Sequence, residues 1–229
     1  LDSMASCSIP GNGCGISYKY GLFQQKIVDG NQVEFPDRWI SSYSAWQFPK
    51  RDKALEVKCG GKVKMQRAGD SLKFGLTDYE SVLAVPYDMP VVGYGNNTVN
   101  TLRLWSAEVM PDEDEFEINN RQEYKRAVEY KYSVEAISEV LYPDDSNYQG
   151  KLFRLKQQYF MVSAGIQSII RYYKNKYGKP LAEFDQYIAV HINDTHPTLV
   201  IPELMRILMD EEDFGWDEAW RIVKNTVSY

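Results

Sequence analysis

The apolar positions of this 229-residue chain change period part-way along it. Up to about residue 110 they alternate in short runs, the spacing of half-buried strands. Val28-Asp29-Gly30-Asn31 joins two such runs and predicts a hairpin, because Asp-Gly accepts the positive φ angles that a tight turn demands. Leu55, Val57 and Cys59 alternate up to Gly60-Gly61, and Val63 and Met65 alternate after it. That pattern predicts a second hairpin turning on Gly-Gly. Residues 80–85 and 99–107 read as further strands. Gly11-Asn12-Gly13-Cys14-Gly15 lacks the spacing of a dinucleotide fingerprint and reads as a flexible glycine turn. The acidic stretch 111–117 reads as a solvated loop.

From residue 119 the period becomes helical. Tyr124, Ala127, Val128, Ile137 and Leu141 recur at three- and four-residue steps until Pro143 stops the run. Asp144-Asp145-Ser146-Asn147 follows as a turn-rich loop. Leu155, Tyr159, Val162, Ile166, Ile169, Ile170 and Tyr173 form the stripe of a second, long helix, with Gly178 near its end. Residues 187–192 read as a short buried strand, 199–209 as a helix and 217–226 as a last helix. A strand with helices on either side implies α/β architecture with parallel strands in this half. The whole reads as a single partial domain, with a β-hairpin-rich segment 1–118 and an α/β segment 119–229.

Composition narrows the function classes. A net charge of −6 and a pI near 5.1 argue against nucleic acid or another polyanion as partner. No 18-residue apolar run predicts a membrane span, and no signal peptide is visible. Cys7, Cys14 and Cys59 form no CxxC pair, which suits a reducing cytoplasm. His191 and His196 are too few for a His-based metal site, so no metal is expected; His191 reads as a hydrogen-bonded structural residue. Of the five tryptophans, Trp105, Trp216 and Trp220 fall in periodic apolar patterns and read as core. The start at Leu1 points to a fragment or a processed chain.

Candidate chemistry concentrates in two places. Asn193-Asp194-Thr195-His196 sits between the 187–192 strand and a helix, at the carboxyl end of the strand, where open α/β sheets bind ligands. These residues also make an ordinary helix start, and pattern alone favours Thr195 as a cap. The imidazole of His196 adds nothing to a helix start and argues for a site facing a ligand. The loop 144–148 carries two adjacent acids and reads either as a gate or as a surface turn. Arg154, in an apolar helix start, is expected to pair with a carboxylate, either within a site or as a tie between helix and loop.

Six segments in order resemble the glycogen and maltodextrin phosphorylases: LDSMAS at 1–6, ISYKYGLFQQKIVDG at 16–30, VNTLRLWSA at 99–107, VLYPDDSNYQGK at 140–151, FRLKQQYF at 153–160 and NDTHPTLVIPELMRIL at 193–208. The resemblance spans nearly all of 1–229 but only part of a family member. It implies a partial Rossmann-like N-terminal domain of a two-domain glycosyltransferase B-type fold. It implies a cytoplasmic enzyme of carbohydrate storage that cleaves α-1,4-glucan with inorganic phosphate to glucose 1-phosphate. It also implies pyridoxal 5′-phosphate as cofactor, with the phosphate of that cofactor moving the proton. Asp194 and His196 match positions lining the substrate pocket, Asp145 and Ser146 match the gating loop, and Arg154 matches an arginine behind it. The helix near 124–141 matches the homodimer helix.

The chain departs from the family pattern in places. Ser146 stands where many members have an Asn that contacts the glucosyl unit. Tyr172 replaces the second Arg of a nucleotide clamp, leaving Arg171 alone, and Asn12, Cys14 and Ser17 replace larger residues. The family's glycine-rich loop, its glucosyl-binding histidine, the Schiff-base lysine and the phosphate-binding basic residues all match positions outside 1–229. The resemblance therefore implies that this chain is inactive alone, with no cofactor-binding residue and no catalytic residue assigned in it. The alternative is a non-catalytic carbohydrate-binding or interaction domain derived from the same half-domain.

Overall fold

The computed structural model describes residues 1–40, 45–68, 71–111 and 120–229. They form two compact units, one from 1–56 and 82–157, the other from 57–81 and 158–229. The acidic stretch expected to be a loop lies, from 112 onward, outside the described residues.

The first unit is built on a sheet. After a short helix α1 (Asp2–Ser6) the chain enters β1 (Asn12–Ile16), which pairs in parallel with β7 (Val99–Glu108). The strand β6 (Ser71–Val92) runs antiparallel to β7, and β4 (Phe48–Pro49) pairs antiparallel with β6. The expected glycine turn at 11–15 is therefore a strand. Gly13 and Gly15 serve close packing, since a Cβ on Gly13 would stand 2.8 Å from the Leu102 side chain and one on Gly15 3.2 Å from that of Leu104. Sequence periodicity cannot register this, because a glycine carries no apolar signal of its own. The side chain of Asn100 ties the strand entry down by accepting from the Gly11 N–H at 3.1 Å.

The expected Asp-Gly hairpin is present. Strands β2 (Gln24–Val28) and β3 (Asn31–Phe35) pair with Val28 opposite Asn31, and Asp29 and Gly30 take φ of 50° and 80°. Both positive angles fit the twist that a two-residue connection needs. Trp105 is fully buried, as its pattern predicts. Helix α2 (Arg121–Glu135) is capped by the Asn120 side chain, which accepts from the Glu123 N–H. Tyr124, Val128 and Tyr132, four residues apart, are exposed along it, whereas Ile137 of the expected stripe is fully buried. Past Glu135 the chain tightens into a 3₁₀ turn (Ala136–Ser138), which rotates Ile137 inward.

The second unit packs helices around a short parallel pair. Helix α3 (Tyr148–Tyr177) ends where Gly178 adopts φ of 58° and its N–H bonds the Lys174 carbonyl at 3.1 Å, the left-handed stop its glycine predicts. Helix α4 (Phe184–Tyr187) leads to β8 (Val190–His191); α5 (Val200–Arg206) and α6 (Trp216–Thr226) follow, and β9 (Val227–Ser228) closes the chain. The expected 187–192 strand is thus two residues long, because the Ile188 N–H still bonds the Phe184 carbonyl. Strands β8 and β9 are parallel, as expected for this half. Val162, Ile166, Ile170 and Tyr173 of the α3 stripe meet Leu204, Leu208, Ile222 and Val223 in the core. Trp216 and Trp220 are exposed, contrary to the pattern. The buried face of α6 is Ala219, Ile222, Val223 and Thr226, and the two indoles fall on its flank.

The expected Gly-Gly hairpin is absent. Strand β5 (Leu55–Ala68) runs straight through Gly60 and Gly61 and pairs with β6. The two glycines take φ of 67° and 88°, and a Cβ on Gly61 would stand 2.8 Å from the Thr77 carbonyl oxygen. They admit an irregularity inside a long strand, a use of positive φ that a turn signal cannot be told from by sequence.

Candidate functional site

The turn that follows β8 is built around a strained residue. Asp194 adopts φ of 64°, a left-handed conformation that an L residue other than glycine holds only when its surroundings fix it. Its carboxylate bends back so that Oδ1 accepts from the Thr195 N–H at 2.6 Å. That bond holds the Asp194 carboxyl below the usual carboxylate range, with His196 nearby acting in the same direction. Thr195 occupies the cap position of a 3₁₀ turn (His196–Leu199) but makes no side-chain cap bond. The capping role favoured by pattern therefore does not hold for Thr195. The N–H at the helix start is taken by Asp194, one residue earlier.

Asp194 and His196 come together. His196 Nε2 lies 3.7 Å from Asp194 Oδ2, and the two side chains are 40% and 65% exposed. The imidazole Nδ1 lies 3.5 Å from Nε2 of Gln158, on α3. An acceptor and an imidazole thus share one exposed turn, with an amide behind them. His191 points elsewhere, its Nδ1 3.2 Å from Ser228 Oγ across the β8–β9 pair, which is the structural role read for it.

On α5, the helix that follows the turn, lies an anchor that sequence reading missed. Glu203 is buried on α5, and its carboxylate accepts from Ser163 Oγ at 2.7 Å and from Arg206 Nε at 2.8 Å. Tyr159 adds longer contacts of 3.4 Å to both oxygens. Burial works against the charge of Arg206, yet its bonds to Glu203 and Glu211 push its pKa upward. A buried carboxylate bonded by a hydroxyl and a guanidinium is a satisfied group that fixes helix positions. A glutamate three residues before an arginine in an apolar helix was the available signal.

In the first unit, Asp145 and Ser146 lie in an exposed loop. Asp144 accepts from the Ser146 N–H at 3.0 Å and from Ser146 Oγ at 3.1 Å, and the first of these bonds leads in holding its carboxyl below the usual range. Asn147 accepts from the Gly150 N–H at 3.0 Å. Asp145 itself makes no hydrogen bond among the described residues. The Arg154 guanidinium stands over the Tyr142 ring, 5.3 Å from its centre. No carboxylate among the described residues pairs with it, so the expected ion pair is replaced by a cation–π contact, in which the electron-rich ring face takes the carboxylate's place. Burial raises the Tyr18 phenol, with Arg154 pulling the other way.

A cleft of about 310 Å³ opens elsewhere in this unit, lined among others by Ser17, Lys19, Gln47, Tyr87, Glu108 and Glu139. It holds none of the five residues singled out from the sequence. A 2.8 Å bond between Lys19 and Glu139 already neutralises part of its charge.

Comparison with known proteins gives these arrangements a context. A family profile described as "Carbohydrate phosphorylase" matches residues 1–229. The chain belongs to the carbohydrate phosphorylase family. It is 48% identical over 229 residues to the glycogen phosphorylase of Bacillus subtilis (strain 168), covering all of this chain and 27% of that protein. It is 47% identical over 232 residues to glycogen phosphorylase 2 of Dictyostelium discoideum, covering all of this chain and 23% of that protein. It is 45% identical over 236 residues to the brain form of human glycogen phosphorylase, again over the whole chain and 27% of the relative. The chain thus spans about a quarter of the length of these relatives.

As a phosphorylase-family chain it is a mixed α/β structure. No helix among the described residues is long and apolar enough to cross a membrane. Tyr172 accepts from Lys176 Nζ at 2.6 Å.

Proposed function

We propose that this chain is part of an α-glucan phosphorylase, which transfers the terminal glucosyl unit of an α-1,4-glucan to inorganic phosphate and releases glucose 1-phosphate. The observation that carries this reading is the 48% identity to a glycogen phosphorylase, unbroken over the whole chain. The finer architecture belongs to the same reading: 1–229 as a single partial domain of Rossmann-like type, within a two-domain glycosyltransferase B-type enzyme of the cytoplasm. The parallel pairs β1–β7 and β8–β9 support it.

In this reading Asp194 and His196 orient the glucosyl unit. Asp194 is an ionised, exposed acceptor and suits a sugar hydroxyl. Asp145 and Ser146 belong to the gating loop that the resemblance implies, and Arg154 steadies that loop through Tyr142. None of these groups is assigned as nucleophile or proton donor. Pyridoxal 5′-phosphate is the cofactor of the full-length enzyme, where its phosphate supplies proton transfer. The donor set around Asp194 does not fit that group, because a carboxylate repels a phosphate and no lysine or arginine stands beside it in the turn. No step is therefore assigned to the cofactor through these residues.

The partner surface in this reading is helix α2. Tyr124, Val128 and Tyr132 expose an apolar ridge of the kind that a second copy covers in a homodimer. Val128→Glu in the full-length protein should shift a dimer towards monomer in sedimentation velocity, and an unchanged dimer would remove α2 from the interface.

The reading as a whole is tested with the full-length protein carrying this chain. Purified with pyridoxal 5′-phosphate, it should release glucose 1-phosphate from maltoheptaose and inorganic phosphate. Absence of product, in a protein that binds maltoheptaose, would favour the non-catalytic carbohydrate-binding domain.

A further inference from the structure

We infer that Gln158 is a positioning residue that fixes the tautomer of His196, so that His196 Nε2–H and Asp194 Oδ2 form a donor–acceptor pair for a single sugar hydroxyl. This rests on the reading of the 193–196 turn as facing the glucosyl unit. Asp194 is held ionised by the Thr195 N–H, so it offers acceptor atoms only. The ring atom facing it is Nε2, at 3.7 Å. A lone pair on Nε2 would oppose the carboxylate, whereas a proton there is attracted to it. In the neutral ring, protonation at Nε2 leaves Nδ1 as acceptor. Nδ1 faces Nε2 of Gln158 at 3.5 Å, and an amide nitrogen is a donor that satisfies that lone pair. The two ends of the ring thus demand the same tautomer.

The separation between His196 and Asp194 leaves room for a bridging atom. At 3.7 Å the two atoms are too far apart for a direct hydrogen bond. An oxygen lying off the line between them can sit at ordinary bonding distance from both. It must accept from Nε2–H and donate to Oδ2, which is what a hydroxyl does and a phosphate oxygen does not. The pair therefore reads a hydroxyl and discriminates against an anion. Gln158 sets the sense of the pair from α3, a 30-residue helix, whereas Asp194 stands on a turn at left-handed φ. Orientation comes from the rigid partner.

The test uses full-length protein labelled with ¹⁵N-histidine, with His196→Gln serving to assign the signal. Wild type should show His196 as the Nε2–H tautomer. Gln158→Met keeps the length and removes the donor, and it should give a mixture of tautomers. Gln158→Glu, which offers only acceptors, should add a proton at Nδ1 and give the doubly protonated ring between two carboxylates. In steady-state kinetics Gln158→Met should raise KM for maltoheptaose about threefold to tenfold, the scale of one lost neutral hydrogen bond, with KM for phosphate unchanged. A wild-type Nδ1–H signal, or a signal indifferent to both substitutions, would overturn the role of Gln158. A tautomer that responds as stated in a protein without phosphorolysis would leave Gln158 in place and remove the proposed activity instead.

Discussion

The turn at 193–196 and the loop at 144–150 each present an exposed aspartate, and they are held by different means. The loop is tied within itself: Asp144 to Ser146, two residues on, and Asn147 to Gly150, three residues on. The turn is tied at a distance. His196 meets Gln158 across 38 positions of sequence, and Glu203 on the following helix meets Ser163 across 40. A loop closed by local bonds can open without disturbing a core, whereas a turn fastened to buried helices moves only if they do. The difference suits a gate in the first case and a fixed template in the second.

Breaking the distant anchor should have the largest effect. Glu203→Ala leaves Arg206 without its buried partner and Ser163 without an acceptor. The cost should be about 3 kcal/mol, the low end for a broken buried pair because Arg206 remains partly exposed and keeps Glu211. Chemical denaturation of the full-length protein reads it, and a loss below about 1 kcal/mol would show that the turn does not depend on this anchor.

Gly150→Ala tests the local side. A Cβ there would run into the Asp144 carbonyl oxygen, so the loop must shift. The expected cost is about 1–3 kcal/mol, the range for overpacking, with the loop rather than the core disturbed. Hydrogen exchange should rise at 144–151 and stay unchanged at 190–206. A change spread through both regions would contradict the independence of the loop.

Asp194→Ala should separate function from stability. The carboxylate is exposed and outside the core, so Tm should fall only by the share of one helix-start hydrogen bond. On the proposed reading the turn loses its hydroxyl acceptor, and kcat/KM of the full-length protein for maltoheptaose should fall roughly ten- to a hundredfold. Full activity with a lowered Tm would return Asp194 to the role of a helix-start residue.

The smallest effect concerns Ser146. Ser146→Ala removes the hydroxyl bond to Asp144 but keeps the stronger contribution from the backbone N–H. The Asp144 carboxyl should move up towards the ordinary carboxylate range without reaching it, as read by ¹³C titration of labelled aspartate. The sign follows from the acid form. A carboxyl with a lowered folded pKa stabilises the fold above its unfolded value, and that stabilisation is lost as pH falls through the folded value. Ser146→Ala should therefore lose less stability than wild type when acidified from about pH 5 to pH 3. An unchanged titration would mean that the hydroxyl does not engage Asp144 in solution.

Local sequence determined whatever depends on a few adjacent residues. The Asp29-Gly30 turn, the Gly178 stop and the long stripe of α3 follow from backbone sterics and helical period alone. The order of six segments along the chain likewise determined the family, because it needs no coordinates. Tertiary structure decided what depends on partners distant in sequence. The glycines at 13 and 15 read as a turn until Leu102 and Leu104 packed against them. Gly60-Gly61 read as another until Thr77 came alongside. Arg154 was expected to find a carboxylate and found the Tyr142 ring. Gln158 and Glu203 lie within the matched segments but were not singled out there, and their significance comes from what faces them across the fold. A side chain's chemical type is written in the sequence, but its hydrogen-bond partner is set by packing, and packing is non-local.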